Sequence, residues 1–119
     1  MIEHLTKAQF EEKVKNFKVS SDWKFEGEKP IIIDFYAPWC RPCKLLAPTL
    51  EEIKNEYGDR VEIYEVDTDQ ELELPMMFNI RGVPTIAFFP VGENCLIKVG
   101  AMPKIMFEKI IKEHFKIEK

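Results

Sequence analysis

Ile31-Ile32-Ile33-Asp34-Phe35-Tyr36-Ala37-Pro38-Trp39-Cys40-Arg41-Pro42-Cys43-Lys44 carries a β-branched apolar run into two cysteines separated by two residues. The run is broken only by Asp34, which suits a central strand covered on both faces. From Cys40 the periodicity changes. Leu46, Leu50 and Ile53 mark one face of a helix that extends to about Tyr57 and is ended by Gly58. Pro48 falls inside it and predicts a kink, because it removes an N–H and crowds the preceding turn. The cysteines therefore sit on the first turn of a helix that follows a strand. This spacing brings the sulfurs close enough to bond reversibly. The unpaired N–H groups and partial positive charge of a helix N-terminus favour a thiolate, the reactive form. The pair reads as a redox dithiol. A zinc site would need about four ligands. His4 and His114 lie near the termini and form no evident ligand pair with Cys40 and Cys43, so no metal is expected.

Upstream, Thr6 and Gln9 have capping-box spacing, and Phe10, Val14 and Phe17 recur at helical intervals. They predict a helix over about Thr6–Phe17. Ser20 to Pro30 reads as a loop whose Trp23 and Phe25 fold back onto the domain. Downstream, Val61–Val66 reads as a strand, and a short helix is predicted from Asp67–Gln70 to about Phe78, perturbed by Pro75. Arg81-Gly82-Val83-Pro84 is a turn, Thr85–Phe89 a strand, Pro90–Asn94 a hairpin loop and Cys95–Val99 the antiparallel partner strand. Pro103 suits the first turn of a last helix, whose apolar side would comprise Ile105 or Met106, Ile110, Ile111 and Phe115. The right-handed βαβ crossover gives parallel strands and the final hairpin an antiparallel edge. The expected architecture is α/β, a three-layer α/β/α sandwich with a mixed central sheet.

At 119 residues the chain fits a single domain over residues 1–119. It is 45% apolar and 32% charged, the balance of an ordinary globular protein. A net charge of −4 with no basic cluster argues against a nucleic-acid partner. No apolar run reaches the roughly 18–20 residues of a membrane-spanning helix. The segment Met1–Thr6 lacks the apolar core of a signal peptide, so a cytoplasmic protein is expected, with an exported protein whose signal has been removed as the alternative. Three cysteines are too few for a disulfide framework, which leaves Cys40 and Cys43 available for chemistry. Cys95 stands alone and reads as a small core or edge-strand hydrophobe.

Several separated landmarks accompany the Trp39-Cys40-Arg41-Pro42-Cys43 core: Asp34 six residues before the first cysteine, Pro48, Val66-Asp67-Thr68-Asp69, Arg81-Gly82-Val83-Pro84-Thr85 and Val99-Gly100-Ala101. Together, from about Ile31 to Phe115, they closely resemble the thioredoxin family. The resemblance implies the thioredoxin fold and a protein-disulfide reductase that binds no cofactor beyond the redox-active disulfide Cys40–Cys43. It also implies disulfide-containing protein substrates and a flavin-dependent, NADPH-linked reductase as electron donor. A monomer is expected.

Cys40, at the helix start and expected to be the more exposed sulfur, is the candidate nucleophile, and Cys43, about one turn along, the resolving thiol. Asp34 is a charge-prone residue in an apolar strand, so burial should raise its pKa. By resemblance it is the proton acceptor for Cys43. By resemblance, too, Pro84 is a cis-proline facing the dithiol. It leaves the Val83 backbone open to an extended substrate, while Trp39, Val83 and Ala101 form an apolar rim. Pro42 should stiffen the dithiol turn. Two departures from the family's usual pattern are tuning candidates. Arg41 replaces the common glycine between the cysteines. Glu65 occupies a position where a lysine is frequent, and two nearby carboxylates would raise each other's pKa. Arg41 leaves a disulfide oxidase or isomerase open as an alternative. A non-catalytic binding subunit using the same surface is another.

Overall fold

The computed structural model describes residues 2–119. Met1, the first residue of the segment examined for a signal peptide, lies outside the described residues. In chain order the elements are β1 (Glu3–His4), α1 (Lys7–Lys13), β2 (Ile31–Tyr36), α2 (Arg41–Tyr57), β3 (Glu62–Asp67), α3 (Glu73–Met77), β4 (Thr85–Phe89), β5 (Leu96–Val99) and α4 (Lys104–Ile110). A 3-10 turn at Gly58–Arg60 follows α2, and a π turn at Ile111–Phe115 extends α4. The five strands form one sheet in the order β1-β3-β2-β4-β5. β1, β3 and β2 are parallel, whereas β4 is antiparallel to both β2 and β5.

The strands alternate, so each face of the sheet builds its own core. Ile32, Ile63, Ile86 and Phe88 face α2 and α4, where they meet Leu46, Leu50, Ile53, Phe107 and Ile111. Ile31, Ile33, Phe35, Val66, Ala87 and Phe89 face α1 and α3, where they meet Phe10, Leu74 and Phe78. The result is the expected three-layer α/β/α sandwich. Asp34 has the parity of Ile32 and therefore points to the α2 side, the side that carries the cysteines.

Local chemistry explains the element ends. Thr6 Oγ1 accepts the Gln9 N–H at 3.2 Å and Gln9 Oε1 accepts the Thr6 N–H at 3.0 Å, which completes the capping box of α1. Such a cap contributes about 1 kcal/mol. α1 stops at Lys13, earlier than the apolar spacing predicts, because Val14 is already extended and Asn16 is left-handed at φ 57°. Phe17 then stacks on Phe78 with ring centroids 4.6 Å apart. Its burial reflects this return rather than a continuing helix. α2 runs unbroken through Pro48 and ends at Gly58, whose φ of 58° favours glycine. The loop of residues 18–30 is bound to the β4–β5 turn by Phe25 N–H to Glu93 O (2.9 Å) and Gly92 N–H to Phe25 O (2.7 Å). Trp23 and Phe25 thereby join Phe89 in an aromatic cluster, as their apolar character predicts.

Three further element boundaries and faces are corrected. Residues 67–70 form a turn, with Gln70 and Glu71 N–H groups both bonded to Asp67 O, and the helix begins only at Glu73. The apolar side of α4 is formed by Phe107 and Ile110, while Ile105 and Met106 are exposed. Cys95 precedes β5, which starts at Leu96.

Candidate active site

The dithiol lies where β2 hands over to α2. Thr68 fixes the end of β2, its N–H (2.9 Å) and Oγ1 (3.0 Å) both donating to Tyr36 O. The Cys40 N–H then bonds to Ala37 O at 3.1 Å, which closes the turn before the helix. Cys40 is the N-cap of α2, and its Sγ accepts the Cys43 N–H at 3.2 Å. A sulfur in this position meets a donor that stabilises negative charge, in addition to the helix dipole. Arg41 and Pro42 occupy the first two helical positions and are exposed. Proline costs nothing there, since its missing N–H has no partner within the helix.

Cys40 and Cys43 are joined as a disulfide, with Cα atoms 5.3 Å apart. Cys40 is not the more exposed of the two. Each residue is only 4% accessible, because Ala37, Tyr36 and Val83 pack against them. Position and hydrogen bonding distinguish the sulfurs, not accessibility. Trp39, immediately before Cys40, is 71% exposed.

The Val83–Pro84 peptide bond is cis, and Val83 touches the dithiol cluster. Thr85 Oγ1 donates to Gly82 O (2.7 Å), which braces the turn, and the Gly100 N–H donates to Pro84 O (2.8 Å). The second bond brings the exposed Ala101 segment to the cis-proline. Gly100 adopts φ 96°, a left-handed conformation that a side chain would strain. Among the described residues the Val83 backbone makes no hydrogen bond to another part of the backbone.

Asp34 is buried and its Oδ1 has no hydrogen-bond partner among the described residues. Burial, with a smaller contribution from the charge of Glu65, pushes its carboxyl up to about 7. Glu65 stands directly opposite Asp34 in the β2–β3 register. Burial raises Glu65 as well, against the lowering effect of His4, whose Nε2 lies 3.1 Å from Glu65 Oε1. Tyr36, two residues beyond Asp34, is pushed up to about 12 by burial and then by Glu65, Asp67 and Asp34.

A thioredoxin family model matches residues 1–113. The chain belongs to the thioredoxin family. It is similar to thioredoxin from Borreliella burgdorferi, 40% identical over 93% of this chain and 95% of that protein. It is also similar to thioredoxin from Haemophilus influenzae, 34% identical over 93% and 94% of the two chains. Among solved structures, chloroplastic thioredoxin z superposes with a TM-score of 0.77 at 27% identity, over 98% of this chain and 96% of that one. Family membership and a Cys40–Cys43 pair within disulfide distance make the protein a thiol–disulfide oxidoreductase.

The fold thus gathers Cys40, Cys43, Val83 and Ala37 into one cluster and sets Asp34 and Glu65 side by side on adjacent strands. The sequence assigns no role to His4, Tyr36, Thr68, Thr85 or Gly100, although Thr68, Thr85 and Gly100 fall within the landmark segments. The contacts of the others depend on strand register. Among the described residues no group of three or more His, Cys, Asp or Glu side chains could hold a metal ion. Among the described residues no helix is long and apolar enough to cross a membrane. Cys95 is half-buried against the α1–α3 core, its Sγ 3.8 Å from Leu96 O, and burial pushes its thiol up to about 12. It is poorly suited to nucleophilic work.

Proposed function

We propose that the chain is a single-domain protein-disulfide reductase over residues 1–119, with Cys40 as nucleophile and Cys43 as resolving thiol. The Cys40 thiolate attacks a substrate disulfide, forming the mixed disulfide and releasing one substrate sulfur as a thiolate that takes up a proton. Cys43 then gives its proton to the Asp34 carboxylate and attacks Cys40 Sγ. The Cys40–Cys43 bond forms, the bond from Cys40 to the substrate breaks, and the second substrate sulfur leaves as a thiolate. Two electrons pass from the dithiol to the substrate. The observation that carries these roles is the Cys43 N–H donated to Cys40 Sγ at the N-cap of α2. It stabilises the thiolate at Cys40 and not at Cys43.

Trp39, Val83, Pro84 and Ala101 would accept the substrate. The exposure of Trp39 and the free Val83 backbone suit an extended segment bearing the disulfide. A flavin-dependent, NADPH-linked reductase would return the electrons, in a reducing compartment such as the cytoplasm. The test is Cys43→Ser. It should leave the mixed disulfide at Cys40 unresolved, so that mass spectrometry finds it covalently joined to substrate. Rapid release without adduct would reverse the assignment of the two thiols.

Arg41 places a cation beside Cys40. It stabilises the thiolate and hence the reduced form, which makes the couple more oxidising. The side chain is exposed and screened. Arg41→Gly is therefore expected to make the couple more reducing by only about 10–20 mV, measured by thiol trapping in defined redox buffers. An unchanged or more oxidising potential would remove Arg41 from the tuning set.

A further inference from the structure

Three strands place three ionisable side chains in one lateral row. His4 of β1 pairs with Glu65 of β3, and Glu65 with Asp34 of β2. Paired residues on neighbouring strands point to the same face. The row therefore lies on the α2 side and runs from the sheet edge inward to Asp34. Its outer end is open, with the His4 side chain 62% exposed against 24% for Glu65. Its placement is fixed rather than incidental. Ile2 and Leu5 are buried in the opposite cores, and the Leu5 N–H bonds to Glu65 O at 3.0 Å. The His4 ring also meets Tyr36 edge-on, with centroids 6.1 Å apart.

We propose that His4 is a positioning residue for the proton step at the dithiol. In its protonated form it offsets the charge of Glu65 across the 3.1 Å Nε2–Oε1 contact, and this sets the pH range in which Asp34 can take the Cys43 proton. The inference rests on the role of Asp34 proposed above. Other groups facing the row are Tyr36 on β2, Asp67 on β3 and Glu51 on α2, the last two acting on Glu65. On the far side the row continues through the apolar Ile86 of β4 to the exposed Lys98 of β5. Of all these, Glu65 is the group whose charge acts on Asp34. An uncompensated Glu65 carboxylate opposes ionisation of Asp34, and a cationic partner relieves that opposition.

The test is a titration of the Asp34 carboxyl by carbon-13 NMR in four proteins: wild type, His4→Asn, Glu65→Gln and the double variant. His4→Asn should raise the Asp34 midpoint by about half a pH unit, about threefold in proton affinity. Glu65→Gln should lower it, and His4→Asn should then have no effect. The pH profile of kcat/KM for reduction of a synthetic peptide carrying one disulfide should move with the midpoint. His4→Lys, which retains a cation, should restore the wild-type profile. Loss of β1 packing alone would change stability without this pattern. If His4→Asn leaves the midpoint in place, or shifts it equally in the Glu65→Gln background, the role of His4 is overturned. If Asp34→Asn itself leaves the pH profile unchanged, the role of Asp34 fails and this inference with it.

Discussion

Cys40→Ser is expected to reduce protein-disulfide turnover by about a thousandfold or more. The reason lies in the nucleophile. A thiolate forms readily at a helix N-cap, whereas a serine hydroxyl in the same place stays protonated near neutral pH. The hydrogen bond from the Cys43 N–H that would stabilise a Cys40 thiolate therefore has no anion to stabilise in the variant. No other thiol can substitute. Cys43 lies within α2, and Cys95 is half-buried, with a thiol raised to about 12. Steady-state reduction of a disulfide-bonded peptide measures the loss. The same variant distinguishes chemistry from simple docking, since the exposed Trp39 and the cis turn at Val83–Pro84 do not depend on the sulfur. Turnover within tenfold of wild type would mean that Cys40 is not the attacking group.

The elements of the site that were legible in the sequence are those encoded locally. A strand followed directly by Cys-x-x-Cys and a 3.6-residue apolar period specifies both the position of the cysteines and the helix end that activates them. Asp34 was readable for a similar reason, as the one carboxylate in an apolar strand. Whatever depends on lateral register was not legible. β1 has two residues, too few to show any period, so His4 could not be seen as a neighbour of Glu65. The early end of α1 and the late start of α3 likewise turn on single backbone conformations, at Asn16 and in the Asp67 turn, that apolar spacing does not report. At α4 Ile110, Ile111 and Phe115 enter the core as the apolar spacing predicts, and only the first position differs, Phe107 replacing Ile105 or Met106.

The parity of β2 has an energetic consequence. Alternation that buries Ile32 on the α2 side also buries Asp34 there, with an oxygen that finds no partner among the described residues. Folding must then either protonate this carboxyl or bury its charge. Its ordinary value of 3.8 rises to about 7 in the fold, through burial first and Glu65 second. The folded state thus holds the proton more tightly than the unfolded chain. Below about pH 4 both states are protonated and Asp34 costs nothing. Between about 4 and 7 the unfolded chain has lost the proton and the folded one keeps it, so stability falls as pH rises. Above about 7 the full penalty stands, up to about 4 kcal/mol.

Asp34→Asn removes the ionisation while keeping the side-chain shape. It should leave stability nearly unchanged at pH 4 and raise it by about 2–4 kcal/mol at pH 8.5, part of the gain being lost to the unpaired amide. Urea unfolding of the oxidised protein at the two pH values measures the difference. A wild type as stable as the variant at pH 8.5 would show that the carboxylate is accommodated without cost. The same substitution should slow the resolving step by removing the proposed acceptor for the Cys43 proton. A group that weakens the fold at working pH while serving the reaction is the trade expected where function requires an ionisable residue in the core.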